Sequence, residues 1–288
     1  MLGFYNIIKP TGMSSTALVA KVKKILGQKH VGHLGTLDPA ASGVLVVACQ
    51  KATKFFDYFL NKDKVYFAIA EFGTLSDTLD SFGRVVEKDD INVELDDIKS
   101  IIDDFNGKSM QTPPLYSAVK INGVAAYKHA RNNQSVQIKP KEIEVFNFNV
   151  IDKIKKNTFS FYIHCSSGTY VRSLLLSLAQ KLDTVATTPV IIRLKSGPFN
   201  LKDAITLKML ESDPQKYLIT IEDLFVSMKK INFERCDKKT IMNGGTVLAK
   251  AYNMSDNSEF LGYIDDKLFG LFGVNNGIIK CKINVFEE

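Results

Sequence analysis

Apolar residues at Leu18, Val19, Val22, Ile25 and Leu26 recur with helical spacing, with Ser14 or Ser15 placed to cap the helix and Gly27 to end it. The unbroken run Gly43 to Ala48 reads instead as a short buried strand, and the aromatic and β-branched stretch Lys64 to Phe72 as another. Thr78 to Val86 follows as a polar turn with a return strand. Leu95, Ile98, Ile102 and Phe105 then fall in phase on a helix from about Glu94 to Phe105. Met110 to Pro140 breaks the rhythm, with Pro113, Pro114 and the turn Asn122-Gly123, and predicts an excursion or insertion. Beyond it, Phe146, Phe148 and Val150 alternate with asparagines, and Phe159, Phe161, Ile163 and Cys165 alternate with Ser160, Tyr162 and His164, as half-buried strands do. Val171, Leu174, Leu175, Leu178 and Leu182 form one face of the next helix. From about Lys229 short strands and turns predict a small all-β module.

Two of the loops between these elements hold polar side chains. In GHLGTLDPAASGVL, Gly32 to Leu45, Asp38 stands between a glycine-bearing turn and a proline. Asp and Pro serve turns for purely local reasons, so the pattern alone leaves Asp38 open between turn residue and catalyst. The second loop, Ser167-Gly168-Thr169, carries Tyr170 and Arg172 into the following helix.

Composition narrows the classes. At 288 residues and 45% hydrophobic, the chain is long enough for one large domain or two unequal ones. No apolar run approaches the roughly 18 residues of a membrane span. The start MLGFYNIIKP lacks a basic leader with a long apolar segment, which predicts a cytoplasmic protein. Cys49, Cys165, Cys236 and Cys281 form no Cys-x-x-Cys pair, so reduced thiols are predicted. His30, His33, His129 and His164 show no ligand spacing, so no metal is predicted. Thirty-seven basic residues against 31 acidic give a net charge of +6, with lysine clusters at 21–24, 139–141 and 153–156. That excess fits either a solvated lysine-rich surface or a polyanionic partner.

The stretches KPTGMSS (Lys9 to Ser15), GHLGTLDPAASGVL, KVYFAIAEFGTLSDTLDSFG (Lys64 to Gly83), QTPPLYSAVKINGVAAYKHAR (Gln111 to Arg131) and SSGTYVRSLLLSLAQKL (Ser166 to Leu182) together resemble the TruB family of tRNA pseudouridine synthases. The resemblance runs from about Gly3 to Leu207 and is looser over the C-terminal module. It implies that Asp38 is the catalyst, serving as nucleophile at the sugar or as general base. It further implies that Arg172 pairs with Asp38 and keeps it ionised. Tyr66, of the Lys-x-Tyr pair with Lys64, is implied to stack on the extruded base and to share in proton transfer. His33 would fill the space the base vacates, Tyr170 would line the base pocket, and Ile191 would meet uracil through its backbone. Lys64 and Lys9 are grouped with the substrate-binding residues, Lys9 and Pro10 forming the floor beneath the loop. The sequence departs from the family in two places: Ile8 stands where Asp usually precedes Lys-Pro, and Ile191-Ile192-Arg193 where Leu-Arg-Arg is usual.

The resemblance implies an α+β fold with a long mixed, mostly antiparallel sheet flanked by helices and crossed at its middle by the active-site cleft. Residues 1–228 would be catalytic, with an RNA-clamping insertion at about 110–141 whose Lys120, Lys128, Arg131, Lys139 and Lys141 meet phosphates. Residues 229–288 would form a short PUA-like β module. The implied reaction turns uridine into pseudouridine at position 55 in the tRNA T-loop after base flipping. It needs no cofactor, no membrane and no obligate protein partner, and a monomer is expected. A tRNA-binding and folding chaperone is the alternative, against which the intact Asp38, Tyr66 and Arg172 argue.

Overall fold

The computed structural model describes residues 1–132, 134 and 136–286. Its main feature is a nine-stranded sheet whose path runs Gly3–Lys9, Ser42–Cys49, Ala186–Ser196, Lys64–Phe72, Thr158–Cys165, Lys141–Lys155 and Gly107–Gln111. Val31–His33 and Phe199–Asn200 are added beside this path. Neighbours are antiparallel except at one seam, where Ala186–Ser196 meets Ser42–Cys49 in parallel through Ile192 opposite Ser42 and Arg193 opposite Gly43. Gly43 lies at φ 103°, and a Cβ there would stand 2.4 Å from the Arg193 carbonyl, so the seam closes only over glycine.

The strand Lys64–Phe72 has the predicted bounds, and Ser42–Cys49 extends the predicted run by one residue at each end. Ala186–Ser196 has no such signature because Pro189 interrupts it. The register shift between Thr187 and Val190 absorbs that proline in a bulge, which lets it enter a central strand. The excursion after Gln111 contains a two-residue hairpin, Lys120–Ile121 with Val124–Ala125, turned by Asn122 (φ 50°) and Gly123 (φ 83°). A short helix, Ala126–Arg131, follows it.

One sheet face carries the helices. Ser15–Leu26 begins at Ser14, whose hydroxyl accepts from the Ala17 amide, and ends at Gly27 in the left-handed region (φ 61°). Its Leu18 and Val22, with Leu174, Leu175 and Leu178 of Val171–Lys181, bury against Tyr5, Leu45, Ala68 and Ile163 of the sheet. The helix predicted from Glu94 splits into Leu95–Ile101 and a tighter turn Ile102–Phe105. On the other face Phe4, Phe55, Phe59, Phe199 and Phe225 meet at ring separations of 5.5 to 6.2 Å, in edge-to-face, tilted and stacked pairs. Leu261, Leu271 and Val285 complete that cluster. Leu261 and Leu271 belong to a second, five-stranded sheet, in which Glu259–Ile264, Lys267–Asn275 and Ile278–Asn284 are the central strands, and Val285 directly follows the last of these. No described helix is long and apolar enough to cross a membrane.

Candidate active site

Leu37 and Pro39, the neighbours of Asp38, are both held from outside the loop. The Ser15 hydroxyl donates to the Leu37 carbonyl and accepts from the Leu37 amide, both at 2.9 Å, while the Gly12 amide donates to the Pro39 carbonyl at 2.9 Å. The Asp38 carbonyl accepts from the Ala41 amide, closing a turn with Asp first and Pro second. Asp38 is therefore a turn residue by its backbone, and the turn leaves its side chain facing a cleft of about 390 Å³, a size suited to a small ligand.

That cleft gathers six of the expected residues: Asp38, Lys64, Tyr66, Tyr170, Arg172 and Ile191 all line it. Lys64 and Tyr66 come from one central strand and Ile191 from the next. Alternation along that second strand turns Arg193 to the cleft as well and sends Ile192 to the opposite face. The departure from Arg at position 192 thus falls away from the cleft. Ile8, the other departure, lies half-buried in the strand Gly3–Lys9, its amide donating to the Ile205 carbonyl.

Arg172 is 3% exposed and spends its guanidinium on four acceptors. Nη2 reaches Asp38 Oδ2 at 2.5 Å and the Tyr116 carbonyl at 3.0 Å; Nη1 reaches the Thr78 carbonyl at 2.6 Å and Asp80 Oδ2 at 3.4 Å. Asp80, 9% exposed, is missing from the expected set. In sequence it sits in SDTLDSFG, where an aspartate is already explained as a turn former; its Oδ1 does accept from Thr78 Oγ1 and the Phe82 amide. Only the fold shows that its other oxygen faces an arginine 92 residues on. Gln111, also unexpected, accepts from the Tyr170 amide at 2.8 Å and donates to the Tyr170 carbonyl at 3.1 Å, fixing the start of the helix that carries Arg172.

Lys9 has no exposed surface and does not line the cleft; its Nζ donates to the carbonyls of Pro10 (2.9 Å), Met13 (2.7 Å) and Pro39 (3.4 Å). It forms the floor beneath the loop, its three donors taken up by backbone. Burial pushes its ammonium down to about 8, opposed by the Asp38 carboxylate. Replacing it with methionine strands those carbonyls, so Lys9→Met is expected to lose about 2 to 3 kcal/mol in urea unfolding. Unchanged stability would show that the floor does not depend on the ammonium.

Lys64 does line the cleft, but its Nζ is likewise held by the carbonyls of Phe59, Leu60 and Lys62. Burial, with Arg193 adding to it, lowers it to about 8. Tyr66 is raised to about 12, chiefly by burial, while Arg193 opposes the rise. Tyr170 is raised by burial too. His33 lies in the strand Val31–His33 outside the cleft lining, lowered by burial and then by Arg193, which favours the neutral ring. Among the described residues no cluster of three or more His, Cys, Asp or Glu could hold a metal ion. The cleft offers an ionisable carboxylate fixed to a buried cation, an aromatic wall with a hydroxyl, and two further cations beneath it.

Residues 23–171 match the family described as TruB family pseudouridylate synthase (N terminal domain). The tRNA pseudouridine synthase B of Clostridium novyi is 35% identical over 279 residues, covering 96% of each chain. Its namesake from Aquifex aeolicus is 32% identical over 285 residues, 98% of this chain and 99% of that one. The fold is shared with the chain in the structure of an H/ACA RNP bound to a substrate RNA containing 2'-deoxyuridine, at a TM-score of 0.71 and 21% identity, over 99% of this chain and 86% of that one. The family match covers just over half of the chain and includes the Asp38 turn, and the relatives align over nearly the whole chain at about one third identity. On that ground the chain belongs to the TruB family of pseudouridylate synthases, enzymes that isomerise uridine in RNA.

Proposed function

We propose that the chain isomerises uridine to pseudouridine in tRNA, at position 55 of the T-loop, with Asp38 as the catalytic group. The observation that carries this reading is the 2.5 Å pair of Asp38 with buried Arg172 in the wall of a cleft that Tyr66 also lines. Both relatives named above are called tRNA pseudouridine synthases, which supports tRNA as the substrate.

The reaction breaks the bond between C1′ and N1, turns the uracil, and forms a bond between C1′ and C5. The C5 hydrogen leaves as a proton and N1 gains one, so atoms balance without an oxidant or cofactor. Asp38, ionised beside Arg172, attacks the sugar or takes a proton while the ring is detached. Tyr66 packs on the flipped base, and its hydroxyl lies within the cleft for proton transfer. Tyr170 bounds the base pocket, and the Ile191 backbone faces uracil. His33, as a neutral ring, takes the space the base leaves, because stacking an uncharged imidazole incurs no loss of ionic hydration.

Residues 1–228 would hold this chemistry, and residues 110–141 would close over the T-arm with their lysines on phosphates. Residues 229–288 would extend the RNA surface. Binding should then be strongly salt-dependent: affinity for tRNA is expected to fall about 10²-fold or more between 50 and 200 mM salt, since several phosphate contacts release counterions. Filter binding across that range checks it, and a flat response would contradict the basic-surface reading.

The deciding experiment is tritium release from a tRNA transcript carrying 5-tritiated uridine. Release that depends on Asp38, mapped to position 55, is the expected result. Tight tRNA binding with no release would favour a binding and folding role instead.

A further inference from the structure

Arg193 is only 2% exposed, yet it belongs to no ion pair among the described residues. A buried guanidinium without a counter-ion is costly and persists only where its donors are well used. Nε donates to the Val44 carbonyl at 2.7 Å, Nη1 to the Thr36 carbonyl at 3.1 Å and Nη2 to the Gly35 carbonyl at 3.2 Å. Those carbonyls lie on both flanks of the Asp38 turn. Arg193 is also the direct cross-strand partner of Tyr66, on the same face, and both line the cleft.

We propose that Arg193 is a positioning residue whose rigid fork locks the Asp38 turn to the strand beside Tyr66, so that carboxylate and phenol meet the uridine in a fixed relation. The inference rests on the roles given to Asp38 and Tyr66 above. Division of labour with Arg172 is plain: Arg172 holds the Asp38 carboxylate, and Arg193 holds the backbone around it. A lysine could not substitute, since its one nitrogen cannot set donors at three carbonyls on both flanks of the turn as Nε, Nη1 and Nη2 do.

The test compares wild type, Arg193→Lys, Arg193→Gln, Tyr66→Phe and the double variants in tritium release, tRNA binding and thermal unfolding. Misplacing the groups by a fraction of an ångström should lower kcat of Arg193→Lys by about 10- to 100-fold, with KM and tRNA affinity within about threefold of wild type. In the Tyr66→Phe background the same substitution should cost several-fold less, because the hydroxyl whose position relative to the carboxylate it fixes is already gone. Undiminished kcat in either folded arginine variant overturns the proposal, as do losses that multiply in full in the double variants or a loss confined to KM and thermal stability. Tyr66→Phe keeps the ring and the strand, so it reads the hydroxyl even if both arginine variants fail to fold. Wild-type kcat there overturns the proposal, and a loss of tenfold or more upholds it. Should the wild type bind tRNA and release no tritium, the functional reading fails separately. Amide hydrogen exchange over Gly35–Asp38 then decides without turnover: faster exchange in Arg193→Lys or Arg193→Gln upholds the anchoring, and unchanged exchange overturns it.

Discussion

Asp38→Asn is expected to lower tritium release by about 10⁴-fold or more while tRNA binding and thermal unfolding stay near wild type. Asparagine keeps the size of the side chain and removes only its charge and its capacity to take a proton. The turn survives, because it closes through the Asp38 carbonyl and the Ala41 amide, and neither belongs to the side chain. Arg172 also keeps Asp80 at 3.4 Å and the carbonyls of Thr78 and Tyr116, so no buried cation is left without partners. Multiple turnovers by purified Asp38→Asn would remove Asp38 from the chemistry. Lost turnover together with a large drop in unfolding temperature would mean that the carboxylate is structural instead.

Arg172→Ala should fail in both respects. Asp80 would remain 9% exposed and lose its cation, and the Thr78 and Tyr116 carbonyls would lose their donor, a loss of about 3 to 5 kcal/mol for breaking a buried pair. Asp38 would lose the partner that fixes its orientation, and turnover should fall by about 10² to 10³-fold. Urea unfolding and single-turnover tritium release separate the two effects. A stability loss with turnover within tenfold of wild type would leave Arg172 as a strut and detach it from the chemistry.

Much of this was legible in the residues. Aromatic and β-branched content placed Lys64–Phe72, alternation placed Thr158–Cys165, and helical phase placed Ser15–Leu26 and Val171–Lys181, because each buries a face against the same core. Ala186–Ser196 was obscured by Pro189, whose bulge is possible only once its neighbours exist. The resemblance named six residues that the cleft gathers, but Asp80 and Arg193 escaped it for different reasons. Asp80 looks like turn chemistry, and Arg193 is the last residue of an otherwise apolar tripeptide, so their partners become visible only across 92 and about 150 residues of chain. Lys9, read as floor beneath the loop as well as grouped with the substrate-binding residues, has its three donors on backbone carbonyls.

The parallel seam with its two facing pairs, Ile192 with Ser42 and Arg193 with Gly43, also bears on when the enzyme comes into being. The Asp38 turn is made long before the strand that anchors it, which ends at Ser196. Contacts of such long sequence separation form slowly, since the intervening loop must close first. The nascent chain therefore carries Asp38 well before its anchor exists, and the proposed site can assemble only once the strand Ala186–Ser196 has joined the two halves of the central sheet.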